Sequence, residues 1–106
     1  MSECSCNPIV IKLRQGDDSN FNNNHIIFHI VGRESYEGWY GKFRLQGEHW
    51  NSLEIKDGMI ELIITARQTN KMEPGTCYGW LQLVDSEGRS GTVYSQRFEI
   101  LKGEVW

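Results

Sequence analysis

Trp39-Tyr40-Gly41-Lys42-Phe43-Arg44-Leu45-Gln46 decides the fold class. Trp39, Gly41, Phe43 and Leu45 fall on one side of an extended chain, while Tyr40, Lys42, Arg44 and Gln46 fall on the other. A period of two with apolar and charged residues on opposite sides is the mark of a half-buried β-strand. The same alternation recurs outward in both directions. Towards the amino terminus, Ile11 and Leu13 oppose Lys12 and Arg14, and Ile26, Phe28 and Ile30 form one side of His25–Val31. Towards the carboxyl terminus, strands are expected at Trp50–Ile55, Met59–Ala66, Cys77–Val84 and Thr92–Leu101. Met59–Ala66 also fits a helical stripe through Ile60, Ile63 and Ile64. Its β-branched residues and the preceding Asp57-Gly58 turn favour a strand.

Seven short strands separated by turn residues, with no long capped amphipathic helix, predict an all-β chain folded as an antiparallel β-sandwich. The expected organisation is a frayed tail over 1–8, one sandwich domain over 9–101 and a short tail over 102–106. Met72-Glu73-Pro74-Gly75-Thr76-Cys77-Tyr78 sharpens this to an immunoglobulin-like sandwich. Met72, Pro74, Gly75 and Tyr78 have the form of a tyrosine corner, in which the Tyr hydroxyl bonds back to the preceding loop. Trp39 is then expected in the core, and Cys77 lacks the cysteine partner of an antibody-type disulfide.

The 106 residues carry 11 Lys and Arg against 14 Asp and Glu, a net charge of −3. That balance disfavours nucleic acid, which selects basic surfaces. No stretch reads as a signal peptide or membrane span, and three cysteines do not make a disulfide framework, so a reducing compartment is expected. Asp18, Asn20, Asn22 and Asn24 have the odd-position spacing of a calcium loop, but Asn23 and His29 stand where Gly and Glu are needed. Cys4 and Cys6 are spaced too closely for a zinc pair. There is no Gly-x-Ser-x-Gly elbow and no phosphate-binding Gly loop. No catalytic residue, metal ligand or cofactor is therefore assigned, and the chain is expected not to be an enzyme.

The aromatic residues leave two readings. Trp39 and Trp80 are expected to fill the core while Tyr40 covers a sheet face; exposed rings would instead stack on carbohydrate. Contact candidates are Trp39 and Tyr40 with Trp50, or the final Lys102–Trp106 segment with Trp106.

The succession from Lys12-Leu13-Arg14-Gln15-Gly16-Asp17-Asp18, through Asp57-Gly58-Met59-Ile60-Glu61-Leu62 and Met72–Leu83, to Asp85-Ser86-Glu87-Gly88 resembles the small immunoglobulin-like domains of phage and prophage tail or baseplate proteins. It is similar in particular to the amino-terminal domain of baseplate upper proteins, over residues 9–101. The resemblance implies a structural protein that joins other virion subunits or itself, made in the host cytoplasm and carried into the virion. It departs from the family in the aromatic-rich segment Glu34–Glu48 and in ending at Trp106, where larger members continue into a receptor-binding extension. A carbohydrate-binding or adhesin-type module is the alternative.

Overall fold

The computed structural model describes residues 5–21 and 25–103. Seven strands appear in chain order: β1 (Ser5–Arg14), β2 (Ile26–His29), β3 (Tyr40–Leu45), β4 (Glu48–Leu53), β5 (Met59–Leu62), β6 (Gly75–Val84) and β7 (Ser90–Leu101). One short helix, α1 (Ala66–Asn70), lies between β5 and β6. Five strands form a sheet in the order β1-β7-β6-β3-β4, and β2 and β5 form a second sheet. The chain is thus all-β, as its periodicity predicts.

Three expectations need correction. The pairing is not wholly antiparallel, because β1 runs parallel to β7. A parallel neighbour needs a crossover, and here almost the whole chain supplies it. β1 also starts at Ser5, so four residues of the expected tail belong to the sheet. Gln96 helps to hold this edge: fully buried at a core-facing position of β7, it donates its amide to the Ile9 carbonyl at 2.6 Å, beside the irregularity between Asn7 and Ile11.

The third correction concerns Met59–Ala66. β5 ends at Leu62, and Ala66 opens α1 rather than closing a strand. Thr65 and Gln68 form a capping box, with Thr65 Oγ1 accepting from Gln68 N and Gln68 Oε1 accepting from Thr65 N. Asp18 Oδ1 takes the Ala66 N–H at 2.5 Å, so this member of the calcium-like spacing satisfies a helix terminus. Ile60 and Ile64 are both fully buried, and the apolar pattern alone does not distinguish strand from helix at this spot.

The two sheets pack their apolar faces together. Phe28, Ile60 and Leu62 from the small sheet meet Phe43, Leu45, Leu81, Phe98 and Ile100 from the large one. Each such side chain contributes about 1.5–3 kcal/mol by leaving water. Gly41 lies where the layers approach closely, since a Cβ there would lie 2.7 Å from Ile60 Cδ1. β3 and β4 are joined by Gln46-Gly47, both at positive φ (47° and 82°), the backbone that two-residue hairpins favour.

Candidate functional site

Burial of Gly41, Phe43 and Leu45 on β3, of Gly79, Leu81 and Leu83 on β6, and of Gln96, Phe98 and Ile100 on β7 fixes the direction of every residue between them. Tyr40, Lys42 and Arg44 point away from the core, as do Tyr78, Trp80 and Gln82, and Ser95, Arg97 and Glu99. Cross-strand register then assembles the outer face of the large sheet. Arg44 stands opposite Trp80 and also opposite His49 of β4. Tyr78 stands opposite Arg97, and Trp80 opposite Ser95. Tyr78 and Trp80 are two residues apart on the middle strand, so their rings rise from the same face at a spacing of about 7 Å. They are 44% and 42% exposed, respectively.

The charge on this face is lopsided. Lys12, Arg14, Lys42, Arg44 and Arg97 lie on it, with Glu99 the one acidic residue among the strand positions of that side. That is five of the chain's 11 basic residues and one of its 14 acidic ones, leaving six basic against 13 acidic elsewhere in the sequence. The ion pairs among the described residues involve other groups: His25 with Glu61, and Arg89 with Asp85 and Glu87. Arg14 donates to the Lys102 carbonyl, whereas Lys12, Lys42, Arg44 and Arg97 have no carboxylate within ion-pair distance among the described residues. Beside Trp80, the turn between β3 and β4 forms a cleft of about 230 Å³ lined by Arg44, Gln46, Gly47 and His49.

The sequence-nominated residues are scattered relative to this face. Trp39 precedes β3 and is half-buried, edge-on to Tyr36 with ring centroids 5.4 Å apart and with the Arg33 guanidinium 4.7 Å from its ring centre. It packs against the core rather than standing inside it. Tyr40 is half-buried on the outer face opposite Val84. Trp50 points the other way: its ring packs edge-on against Phe43 and its Nε1 donates to the Ile63 carbonyl at 3.1 Å. This half-buried ring closes the gap between the sheets. Trp106 lies outside the described residues. Trp80, expected in the core, is instead exposed. Its outward direction was readable from Gly79, Leu81 and Leu83, which claim the inward positions of β6.

The tyrosine corner is also corrected. Met72 is buried, Pro74 is exposed and Gly75 turns the chain at φ +125°, as such a bend requires. Yet Tyr78 faces outward, and its hydroxyl bonds to nothing among the described residues. The inward position at the start of β6 belongs to Cys77. Gln46 secures the bend instead, donating to the Glu73 carbonyl and Cys77 Sγ and accepting from Glu73 N at 2.7 Å.

At one end of the molecule Trp39, Leu83, Asp85, Arg89 and Val93 line a second cleft of about 240 Å³. Desolvation pushes the Asp85 carboxyl up, but the Arg89 and Glu87 N–H groups and the Arg89 guanidinium together outweigh it and hold the group below its ordinary range. These are the contacts of a tight hairpin loop. Among the described residues no three His, Cys, Asp or Glu side chains gather as a metal site, and no helix is long and apolar enough to cross a membrane.

No protein-family model matches the chain, and no curated protein shows significant similarity to it.

Proposed function

We propose that this protein is a non-enzymatic structural module that makes protein–protein contacts through the outer face of its five-stranded sheet. The observation that carries this reading is the placement of exposed Tyr78 and Trp80 between Arg44 and Arg97. Trp, Tyr and Arg are the residues most enriched among those that dominate interface energies. Phe21, in the loop between β1 and β2, is exposed as well, but Tyr78 and Trp80 stand side by side on one strand of a sheet face, and paired bare rings of that kind mark a surface that meets something.

The finer identity is an immunoglobulin-like sandwich of a phage or prophage tail or baseplate, assembled in the host cytoplasm and retained in the virion. The strand orders β7-β6-β3-β4 and β2-β5 support the sandwich part, since they follow the G-F-C-C′ and B-E succession of immunoglobulin-like domains. The virion role rests on the sequence resemblance. Its test is to co-express the chain with the proteins encoded beside its own gene. A tail or baseplate protein should co-elute with it, and Trp80→Ala should weaken that complex by about 30-fold, the effect of a central interface residue. Co-elution with none of them, or a complex indifferent to Trp80, sinks the reading.

Carbohydrate binding is the second reading, favoured by the cleft in which Trp80 meets Arg44 and His49. That arrangement suits a sugar ring bearing a carboxylate. A glycan array blank for the wild-type chain removes it.

A further inference from the structure

The two outer faces of this molecule differ in a complementary way. The outer face of the large sheet is basic around an aromatic centre. The opposite outer face, on β2 and β5, carries Ile27, 45% exposed, and Met59, with Ile63, 43% exposed, just beyond. A groove of about 460 Å³ runs over this face, lined by Ile27, Met59, Glu54, Asp57 and Glu61, with Lys56 the basic residue of its lining and His25 beside it paired with Glu61. Each face therefore has an apolar centre, and the charges around the two centres are opposite in sign.

We infer that these faces recognise each other between copies of the chain. The outer face of the five-stranded sheet docks on the β2–β5 face of a second copy, Tyr78 and Trp80 covering Ile27 and Met59 while Arg44 and Arg97 meet Glu54 and Glu61. The inference rests on the contact-module reading and names its partner. Charge complementarity selects the occupant, because the acidic, apolar surface that the basic face needs is present on the same chain. The contact is heterologous, using two different patches, so it does not close at a dimer and builds a ring or an open stack. Ion pairs at the margin of such a contact are screened by salt, which makes assembly dependent on ionic strength.

The test is sedimentation velocity of the full chain over a concentration series in 50 mM and 500 mM NaCl, with folding of each variant checked by circular dichroism. Wild type should assemble beyond a dimer in low salt and dissociate in high salt. Arg44→Glu with Arg97→Glu should leave folded monomer, and so should Glu54→Lys with Glu61→Lys. An equimolar mixture of the two double variants should assemble again, because each reversed face then meets its complement. Wild type that stays monomeric in low salt overturns the inference, as does a mixture that fails to recover. If the monomer instead binds labelled polyglutamate, the face belongs to a foreign acidic protein and the contact-module reading survives without self-assembly. If it binds oligo(dT) in preference to polyglutamate, both fall.

Discussion

The hydroxyl of Tyr94 on β7 donates to the main-chain carbonyl of His29 at the end of β2, with 2.5 Å between the oxygens. This bond joins the two sheets directly, and the Tyr94 ring adds to it by packing 5.8 Å from Phe28. Replacing Tyr94 with Phe keeps the ring and removes the bond. The expected cost is about 1 kcal/mol, or somewhat more if the His29 carbonyl stays dry. Urea unfolding should show a lower midpoint with an unchanged slope.

Gln46 and Tyr78 give opposite outcomes at the bend before β6. Gln46→Ala removes bonds to both the carbonyl and the N–H of Glu73 and should cost about 1–2 kcal/mol. Tyr78→Phe should leave stability within about 0.5 kcal/mol, because it is a surface change that breaks no bond among the described residues. A large loss in the Tyr78 variant, measured by thermal unfolding, would restore the tyrosine-corner account.

Gly79 is fixed by space. A Cβ there would lie 2.4 Å from Phe43 Cζ and 3.0 Å from the Arg44 carbonyl oxygen. Gly79→Ala should destabilise by about 1–3 kcal/mol through overpacking. Combining it with Phe43→Leu should cost less than the sum of the two single changes, since the smaller side chain vacates the contested volume. Strict additivity would show that the Phe43 contact is not the cause.

Asp85 makes stability depend on acid. Its carboxyl titrates below the ordinary value when folded, so its contribution is complete above the unfolded pKa and is lost as the pH falls through the folded one. Asp85→Asn should therefore lie below wild type by a constant amount between about pH 5 and 7, and the gap should narrow below about pH 4. Thermal midpoints across that range would measure it, and a gap that widens on acidification would contradict the assignment.

Much of this architecture is present in local chemistry. Trp39–Gln46 alternates because one side of β3 meets Ile60 and Phe43's aromatic neighbours while the other meets water. Asp57-Gly58 and Gln46-Gly47 supply the positive φ that tight hairpins need. The end of β5 was hidden for a definite reason: Ile60, Leu62 and Ile64 are buried whether the chain goes on as strand or turns into α1. The capping pair Thr65 and Gln68 was the available signal, and a five-residue helix is too short to announce itself by periodicity.

The sequence by itself determined that the chain is all-β, the neighbourhood of each strand though not the start of β1 or the end of β5, and which side of most of them is buried, because alternation is a property of neighbours along the chain. It also determined a net charge of −3, but not how that charge is distributed. Only the tertiary structure decided that Lys12, Lys42, Arg44 and Arg97 share one face with Tyr78 and Trp80, since that follows from strand order and register between segments up to 85 residues apart, from Lys12 to Arg97. Trp50 and Trp80 show the difference most directly. Both are large aromatic residues on strands, and the pairing of their strands turns one towards Phe43 and the other towards solvent.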